Sequence, residues 1–144
     1  MAGQNYANHK KFVAGFHAVL FALIVLTLIG SLVNLWHSLG DHQRLYSASL
    51  IVVLDVIAML LFWYCRAFPL KAQDRAIRAE ENLRHFAMTG KLLDARLTIR
   101  QIIALRFAPD EEFPALARQA AEEGLNADSI KRAVKNWRGD YHRL

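Results

Sequence analysis

Asp55 is the residue whose type and placement point most directly to chemistry, because it is the only charged side chain between Leu45 and Cys65. A carboxyl group placed near the middle of an apolar span costs about 2.5–3.5 kcal/mol on insertion scales, so it faces protein or water and needs a partner. Level pairing of two antiparallel helices puts Asp55 opposite Thr27, whose hydroxyl is the expected partner. Two readings follow. One is a hydrogen-bonded packing acid. The other is a step in a proton or cation pathway, although a relay needs acids or histidines at several depths.

Two other polar residues lie inside apolar sequence, His17 and Asn34. The same pairing brings His17 toward Tyr64 and Cys65. A histidine at that depth is a haem ligand only if a second copy supplies another, so an interface histidine is the simpler expectation and no cofactor is assigned. His37, Asp41 and His42 lie close in sequence, but their number and spacing do not make a closed metal site. A solvated turn built on Gly40-Asp41 accounts for them. Cys65 has no second cysteine to pair with. It reads as a small apolar filler, with reversible acylation as the functional alternative.

Phosphate loops of the Gly-rich type, Gly-x-Ser-x-Gly, His-Glu-x-x-His and cysteine pairs do not occur in the sequence. Glu111-Glu112 suits a first helical turn, where carboxylates complement the helix dipole, and Glu122-Glu123 suits a solvated face. A non-enzymatic protein is therefore expected.

The elements that position these residues begin with two apolar runs. No Asp, Glu, Lys or Arg occurs in the 29 residues from Phe12 to Gly40, and a second run extends from Tyr46 to Phe68. About 20 apolar residues at ~1.5 Å each span a hydrocarbon core of roughly 30 Å. Ala18–Leu26 is apolar all round, unlike a soluble core helix, which keeps a polar face. The first run exceeds the roughly 7–15 residues of a signal h-region and a second follows at once, so no cleavage is expected. The chain accordingly reads as all-α: an N-terminal segment (1–11), a first transmembrane helix (12–36), an outer loop (37–45), a second transmembrane helix (46–68) and a small cytoplasmic helical domain (69–144).

Basic residues flank the outer ends of this hairpin, with Lys10 and Lys11 before it and Arg66, Lys71, Arg75 and Arg78 after it. Such residues stay in the cytoplasm, so both termini are expected there. Trp36 and Tyr46 on one side, and Trp63, Tyr64 and Phe68 on the other, fit the aromatic belts of a bilayer. Ala14, Ala18, Ala22 and Gly30 recur at multiples of four, a small-residue ridge that lets another backbone approach. This ridge is expected to serve the hairpin at one end and a neighbouring molecule at the other.

After Phe68 the sequence becomes solvent-like, and Arg66–Leu144 holds 15 Lys and Arg against 11 Asp and Glu, a net of +4. Pro69 suits a break or the first turn of a new helix. Ala72, Ala76, Ala79, Leu83 and Phe86 then form the apolar seam of a helix ending near Gly90, expected to pack on the rest of the tail or on the same helix in a neighbouring copy. Thr98 and Gln101 have the form of a capping box opening a helix over Ile99–Phe107. A further helix runs from about Asp110 to Gly124. The last follows Asn126 or Asp128, with Ile130, Ala133, Val134, Trp137 and Tyr141 on one face. Its basic residues Lys131, Arg132, Lys135 and Arg138 invite comparison with a DNA-recognition helix. Anionic lipid headgroups are the nearer acidic partner for a tethered tail, and nucleic acid is not the expected one.

Four stretches carry a resemblance: Gln4–His9, Phe62–Arg78, Arg100–Ala108 and Ile130–Trp137. They are similar to an uncharacterised bacterial family of small two-span membrane proteins, a domain of unknown function, over nearly the whole chain. The resemblance implies the two-helix architecture and a bacterial inner membrane, and it supplies no activity or catalytic residue. The functional expectation is an accessory or scaffolding subunit of a membrane complex, or a homo-oligomer. A small oligomeric channel or transporter lined near Asp55 is the alternative, and a membrane-tethered nucleic-acid binder is a third reading.

Overall fold

The structure is a computed structural model and describes residues 4–9 and 11–141. Lys10, one of the basic residues expected to flank the first apolar run, lies outside the described residues. All regular elements among them are helical: a π-helix over Gly15–Leu20, then α1 (Phe21–His37), α2 (His42–Thr89), α3 (Ile99–Leu105), α4 (Phe113–Glu123) and α5 (Ala127–Ala133). The chain divides into two compact units, Phe12–Phe68 and Met1–Lys11 with Pro69–Leu144.

The first unit is a helical hairpin. Its two helices are long and apolar enough to cross a membrane, and only 11% and 6% of their most apolar windows are buried within the chain. Burying large aliphatic and aromatic side chains is what holds a soluble core together, yet here Leu26, Ile29, Leu54, Leu60 and Leu61 all stand outward. The turn is short because Asp41 caps α2. Its Oδ1 accepts from the backbone N–H groups of Gln43 (3.1 Å) and Arg44 (3.3 Å), so the helix begins at His42, ahead of the apolar run.

The inner seam of the hairpin differs from the expected ridge. Ala14, Ala18, Ala22 and Gly30 are all exposed, whereas Ile24, Ser31 and Ser38 are buried, as is Ala48 on α2. At 100° per residue, positions 24, 31 and 38 stack on one side of the helix axis and the alanine ridge falls on the other. Seven-residue spacing keeps a seam facing its partner helix. The four-residue steps of the ridge instead carry it away round the cylinder. Further along, the Phe62 ring stacks on Phe16 at 4.4 Å and lies 5.8 Å from Phe21.

Pro69 does not break the chain into two helices. α2 continues through it to Thr89. A proline in a helix interior removes one N–H bond and crowds the carbonyl four residues back, at a cost of ~3 kcal/mol. Strong helix formers follow it from Lys71 to Glu81, and the ladder resumes.

The second unit closes a small helical core. Leu93, Leu97, Ile102, Leu105, Phe113, Leu116, Ala120, Ile130 and Val134 are buried together. α2 contributes Ile77 and Glu81 to the interior, whereas Ala72, Ala76, Ala79, Leu83 and Phe86 are all exposed, so of the two expected partners of this seam the core of the tail is not the one used. The interior face of α2 instead carries Ile77 and the buried carboxylate of Glu81, 2.9 Å from Arg84.

The capping box forms as expected. Thr98 N–H donates to Gln101 Oε1 at 2.7 Å, and Gln101 N–H donates to Thr98 Oγ1 at 3.4 Å. The Gln101 amide then reaches across to donate to the carbonyl of Leu125 at 2.7 Å, beyond the end of α4. α4 terminates at Gly124, whose φ of 65° is a left-handed conformation that suits a residue without Cβ. Asn126 Oδ1 caps α5 by accepting from Asp128 N–H (3.0 Å) and Ser129 N–H (2.8 Å).

The last helix is shorter than expected and ends at Ala133, so Val134, Lys135, Trp137 and Arg138 lie beyond it. The backbone there finds other partners. Glu112 accepts from the N–H groups of Lys135 (3.0 Å) and Asn136 (3.1 Å), and Arg138 N–H donates to the Phe107 carbonyl at 2.8 Å. A carboxylate holding two N–H groups competes successfully with one more helical turn.

Candidate functional site

The densest polar constellation sits inside the second unit and centres on Arg84. Its guanidinium donates to Glu81 at 2.9 Å, to Asp110 at 2.8 Å and to the Ala108 carbonyl at 2.8 Å, and it lies 4.3 Å above the Phe113 ring. Glu81 is nearly fully buried and also stands 3.8 Å from Arg138. A planar fork with five donors satisfies several acceptors at once, which a lysine cannot do. Beside it Arg106 pairs with Asp140 at 3.1 Å and lies over the Phe107 ring. Gln73, Glu81, Arg106, Arg138 and Asp140 line a cleft of about 300 Å³, with Gln73 Oε1 buried and without a hydrogen-bond partner among the described residues. Glu81, Arg106, Arg138 and Asp140 are in ion pairs across this cleft, which suits cross-linking of the fold, and Glu80 stands at its lining outside those pairs.

A second constellation joins the two ends of the chain. The Tyr6 hydroxyl donates to Asp128 at 2.6 Å and accepts from Arg132 at 3.1 Å, and the Arg132 guanidinium lies 5.0 Å from the Tyr6 ring. His9 meets the rings of Phe107 (5.9 Å) and Trp137 (5.7 Å), which themselves pack at 4.7 Å. Lys131 Nζ stands 3.4 Å from His9 Nε2, and Gln4 Oε1 accepts from Asp140 N–H at 2.8 Å. The Tyr6 hydrogen bond, reinforced by Arg132, outweighs desolvation and holds the Asp128 carboxyl below the ordinary aspartate range. Gln4–His9, Phe107 and Ile130–Trp137, three of the stretches that carry the family resemblance, thus meet in one cluster.

This cluster changes the reading of the four basic residues in the tail. Arg132 is committed to Asp128 and Tyr6, and Lys131 lies against His9. Lys135 and Arg138 are not on the helix at all. The seven-residue α5 therefore does not present the face of a DNA-recognition helix. Lys71, Arg75 and Arg78 are exposed on α2, and Arg66 is half-buried.

In the hairpin, Thr27 does not serve Asp55. Its hydroxyl donates to the carbonyls of Leu23 (2.9 Å) and Ile24 (3.0 Å) on its own helix, the local alternative open to any helical threonine. Asp55 is half-buried and its Oδ2 has no hydrogen-bond partner among the described residues. His17 turns back on its own first turn, with Nδ1 3.1 Å from Val13 N and 3.0 Å from Val13 O, between the rings of Phe12 and Phe16. It lies within the π-helix, a feature that periodicity did not signal. Asn34 is exposed, and its backbone carbonyl accepts from Ser38 Oγ at 2.8 Å. Asp41 is occupied as the cap of α2, and Cys65 is exposed. No group of three or more His, Cys, Asp or Glu side chains is placed to hold a metal ion among the described residues.

Another cleft, of about 610 Å³, is lined by His85, Lys91, Asp94 and Arg118 among others. Bonds from Arg96 hold Asp94 down to about 2, so that carboxylate is a fixed negative charge at neutral pH.

The chain belongs to a family of unknown function, DUF6526, whose model matches residues 1–144. No curated protein and no solved structure shows significant similarity to it.

Proposed function

We propose that this protein is a non-enzymatic integral membrane protein of the bacterial inner membrane. It acts as an accessory or scaffolding subunit of a membrane complex or as a homo-oligomer. The hairpin spans the bilayer, and the second unit is the cytoplasmic docking body. The observation that carries this reading is the apolar surface of the hairpin, whose windows are only 11% and 6% buried within the chain. Water does not tolerate an apolar exterior of that extent on both helices, and lipid does.

Topology is supported by the cluster at the chain ends. Tyr6 and His9 precede the hairpin, and Asp128, Arg132 and Trp137 follow it, yet they pack together in one unit. Their packing supports a topology with both ends of the hairpin on one side of the membrane, and basic Lys11, Arg66 and Lys71 favour the cytoplasm as that side. Exposed Ala14, Ala18, Ala22 and Gly30 are available to a neighbouring helix in the bilayer, and Lys71, Arg75 and Arg78 to anionic headgroups. No cofactor is assigned.

Alkaline extraction of membranes tests the first part, with the chain expected to stay in the lipid pellet. Proteases added to sealed inverted vesicles should cleave both ends of the chain. Intact-assembly mass spectrometry after mild solubilisation should return an oligomer or a mixed complex. A lone monomer in every detergent and lipid tested contradicts the subunit reading.

A second reading rests on one observation, the buried and unpartnered Asp55 Oδ2. A carboxylate oxygen without a partner among the described residues suits a small oligomeric channel or transporter in which a neighbouring copy or a permeating cation completes it. Vesicles containing Asp55→Asn should lose ion flux if this holds. Equal flux from the two proteins ends this version.

A further inference from the structure

The face of α2 that the core leaves outside has a register. Ala72, Ala76, Ala79, Leu83 and Phe86 follow steps of four, three, four and three, the spacing of alternating a and d positions in a coiled coil. All five are exposed, Leu83 at 67% and Phe86 at 51%, although both are large apolar residues in water-facing sequence. The opposite side of the same helix is used, by Ile77, Glu81 and Arg84. The stripe is an unpartnered seam on a helix already held in shape by its other face.

We propose that this seam pairs in parallel with the same seam of a second copy. The charges beside it favour that occupant and that direction. Arg75 stands just before Ala76, a g position, and Glu80 just after Ala79, an e position. In a parallel pair each g residue meets the e residue five positions on in its partner, which sets Arg75 against Glu80 of the second copy, twice by symmetry. An antiparallel pair places g against g and e against e and loses both attractions. Both residues are exposed and neither makes an ion pair among the described residues of its own chain, although Glu80 also lines the cleft that Arg106 and Arg138 share. Membrane insertion supplies the same direction. The inference rests on the proposed membrane reading in this respect, because two copies inserted with the same orientation carry this helix in parallel.

The seam covers little more than two heptads, fewer than the three or four that a free coiled coil needs. Two features compensate. The helix is already formed from His42 to Thr89, so pairing bears no nucleation cost. Confinement in a bilayer also raises the effective concentration of the partner. The three alanines allow close approach near the membrane end, and Leu83 and Phe86 supply the apolar anchor at the far end.

The test uses the full chain in lipid vesicles. In a Cys65→Ala background, Ala72→Cys should form a disulfide-linked dimer under mild oxidation, and Arg78→Cys, on the flank turned from the seam, should not. A parallel pair brings the two copies of position 72 together. An antiparallel pair centred on Ala79 separates them by roughly 20 Å. In a proximity-transfer titration, Arg75→Glu and Glu80→Arg should each weaken association roughly threefold to tenfold, and the double exchange should restore it to about the original value. Leu83→Arg should abolish it.

A chain that stays monomeric in the vesicles overturns the inference. So does a dimer indifferent to these charges, a cross-link at Arg78→Cys equal to that at Ala72→Cys, or a complex holding a single copy. Alkaline extraction separates the two levels. A chain that leaves the lipid pellet overturns the membrane reading itself. One that remains there as a monomer, or as one copy among other proteins, overturns only the pairing.

Discussion

Replacing Arg84 by Leu tests what holds the second unit together, and the geometry sets the magnitude. The pair with Asp110 is worth little, because the Asp110 side chain is 70% exposed and water screens it. The pair with Glu81 is different, since the side chains are 12% and 7% exposed. Removing one partner of a buried pair leaves the other charge uncompensated and costs about 3–5 kcal/mol. Arg138 stands 3.8 Å from the other Glu81 oxygen and recovers part of that, while the lost donor to the buried Ala108 carbonyl adds about 1–3 kcal/mol. The expected loss is therefore about 3–5 kcal/mol, against a total of roughly 4–13 kcal/mol for a body of this size. At about 4–8 °C per kcal/mol the melting midpoint should fall by roughly 12–40 °C.

Hydrogen exchange of the full chain in lipid discs is the suitable assay, because it reads α3, α4 and α5 apart from the hairpin. Protection of these helices should collapse in Arg84→Leu and recover partly in Arg84→Lys, which keeps the charge without the fork. The sharper measurement is the double mutant. Glu81→Leu with Arg84→Leu removes both charges together, so it should cost at least 1 kcal/mol less than the sum of the single losses. Additivity of the two changes would refute the account of a coupled buried pair.

Three further outcomes are expected. Tyr6→Phe deletes a hydroxyl that serves both Asp128 and Arg132 in an exposed setting, so it should raise exchange or proteolysis at residues 4–9 and leave the α3–α4 core protected. Asp128 titrates lower in the folded chain than unfolded, so its contribution to this dock is complete above the ordinary aspartate value of about 3.9 and is lost as pH falls through the lowered folded value. Exchange at residues 4–9 should rise in that acid window in the parent protein and show no such step in Asp128→Asn. Gln101→Glu should cost about 2–3 kcal/mol by thermal or denaturant melting of the tail, because a carboxylate cannot donate to the Leu125 carbonyl; a neutral result would show that only the capping box matters there.

Those residues also separate what could be read from the sequence and what could not. The capping box at Thr98 and Gln101, the cap at Asn126 and the stop at Gly124 are local: each depends on residues within one turn, and each forms as the spacing implies. The side of a helix that meets the core is not local. Ala72, Ala76, Ala79, Leu83 and Phe86 have the better apolar spacing, yet Ile77 and Glu81 go inside, because Arg84 finds Glu81, Asp110 and the Ala108 carbonyl together there. Likewise Thr27 bonds within its own helix, and the alanine ridge turns outward. The π-helix around His17 left no trace in the periodicity.

Composition and spacing along the chain were enough for the inventory: two apolar runs long enough to cross a bilayer, the second carrying Asp55, with basic flanks, a helical tail and the positions of its caps. Composition and near-neighbour chemistry are enough for that, since hydrophobic length and capping act over a few residues. Only the tertiary structure decided which faces are used. It brought Tyr6 and His9 onto Asp128, Arg132 and Trp137, more than 100 residues away, and it ended the last helix at Ala133 by giving Glu112 the next two N–H groups. Such choices depend on partners distant in sequence, and no window along the chain contains both members of the pair.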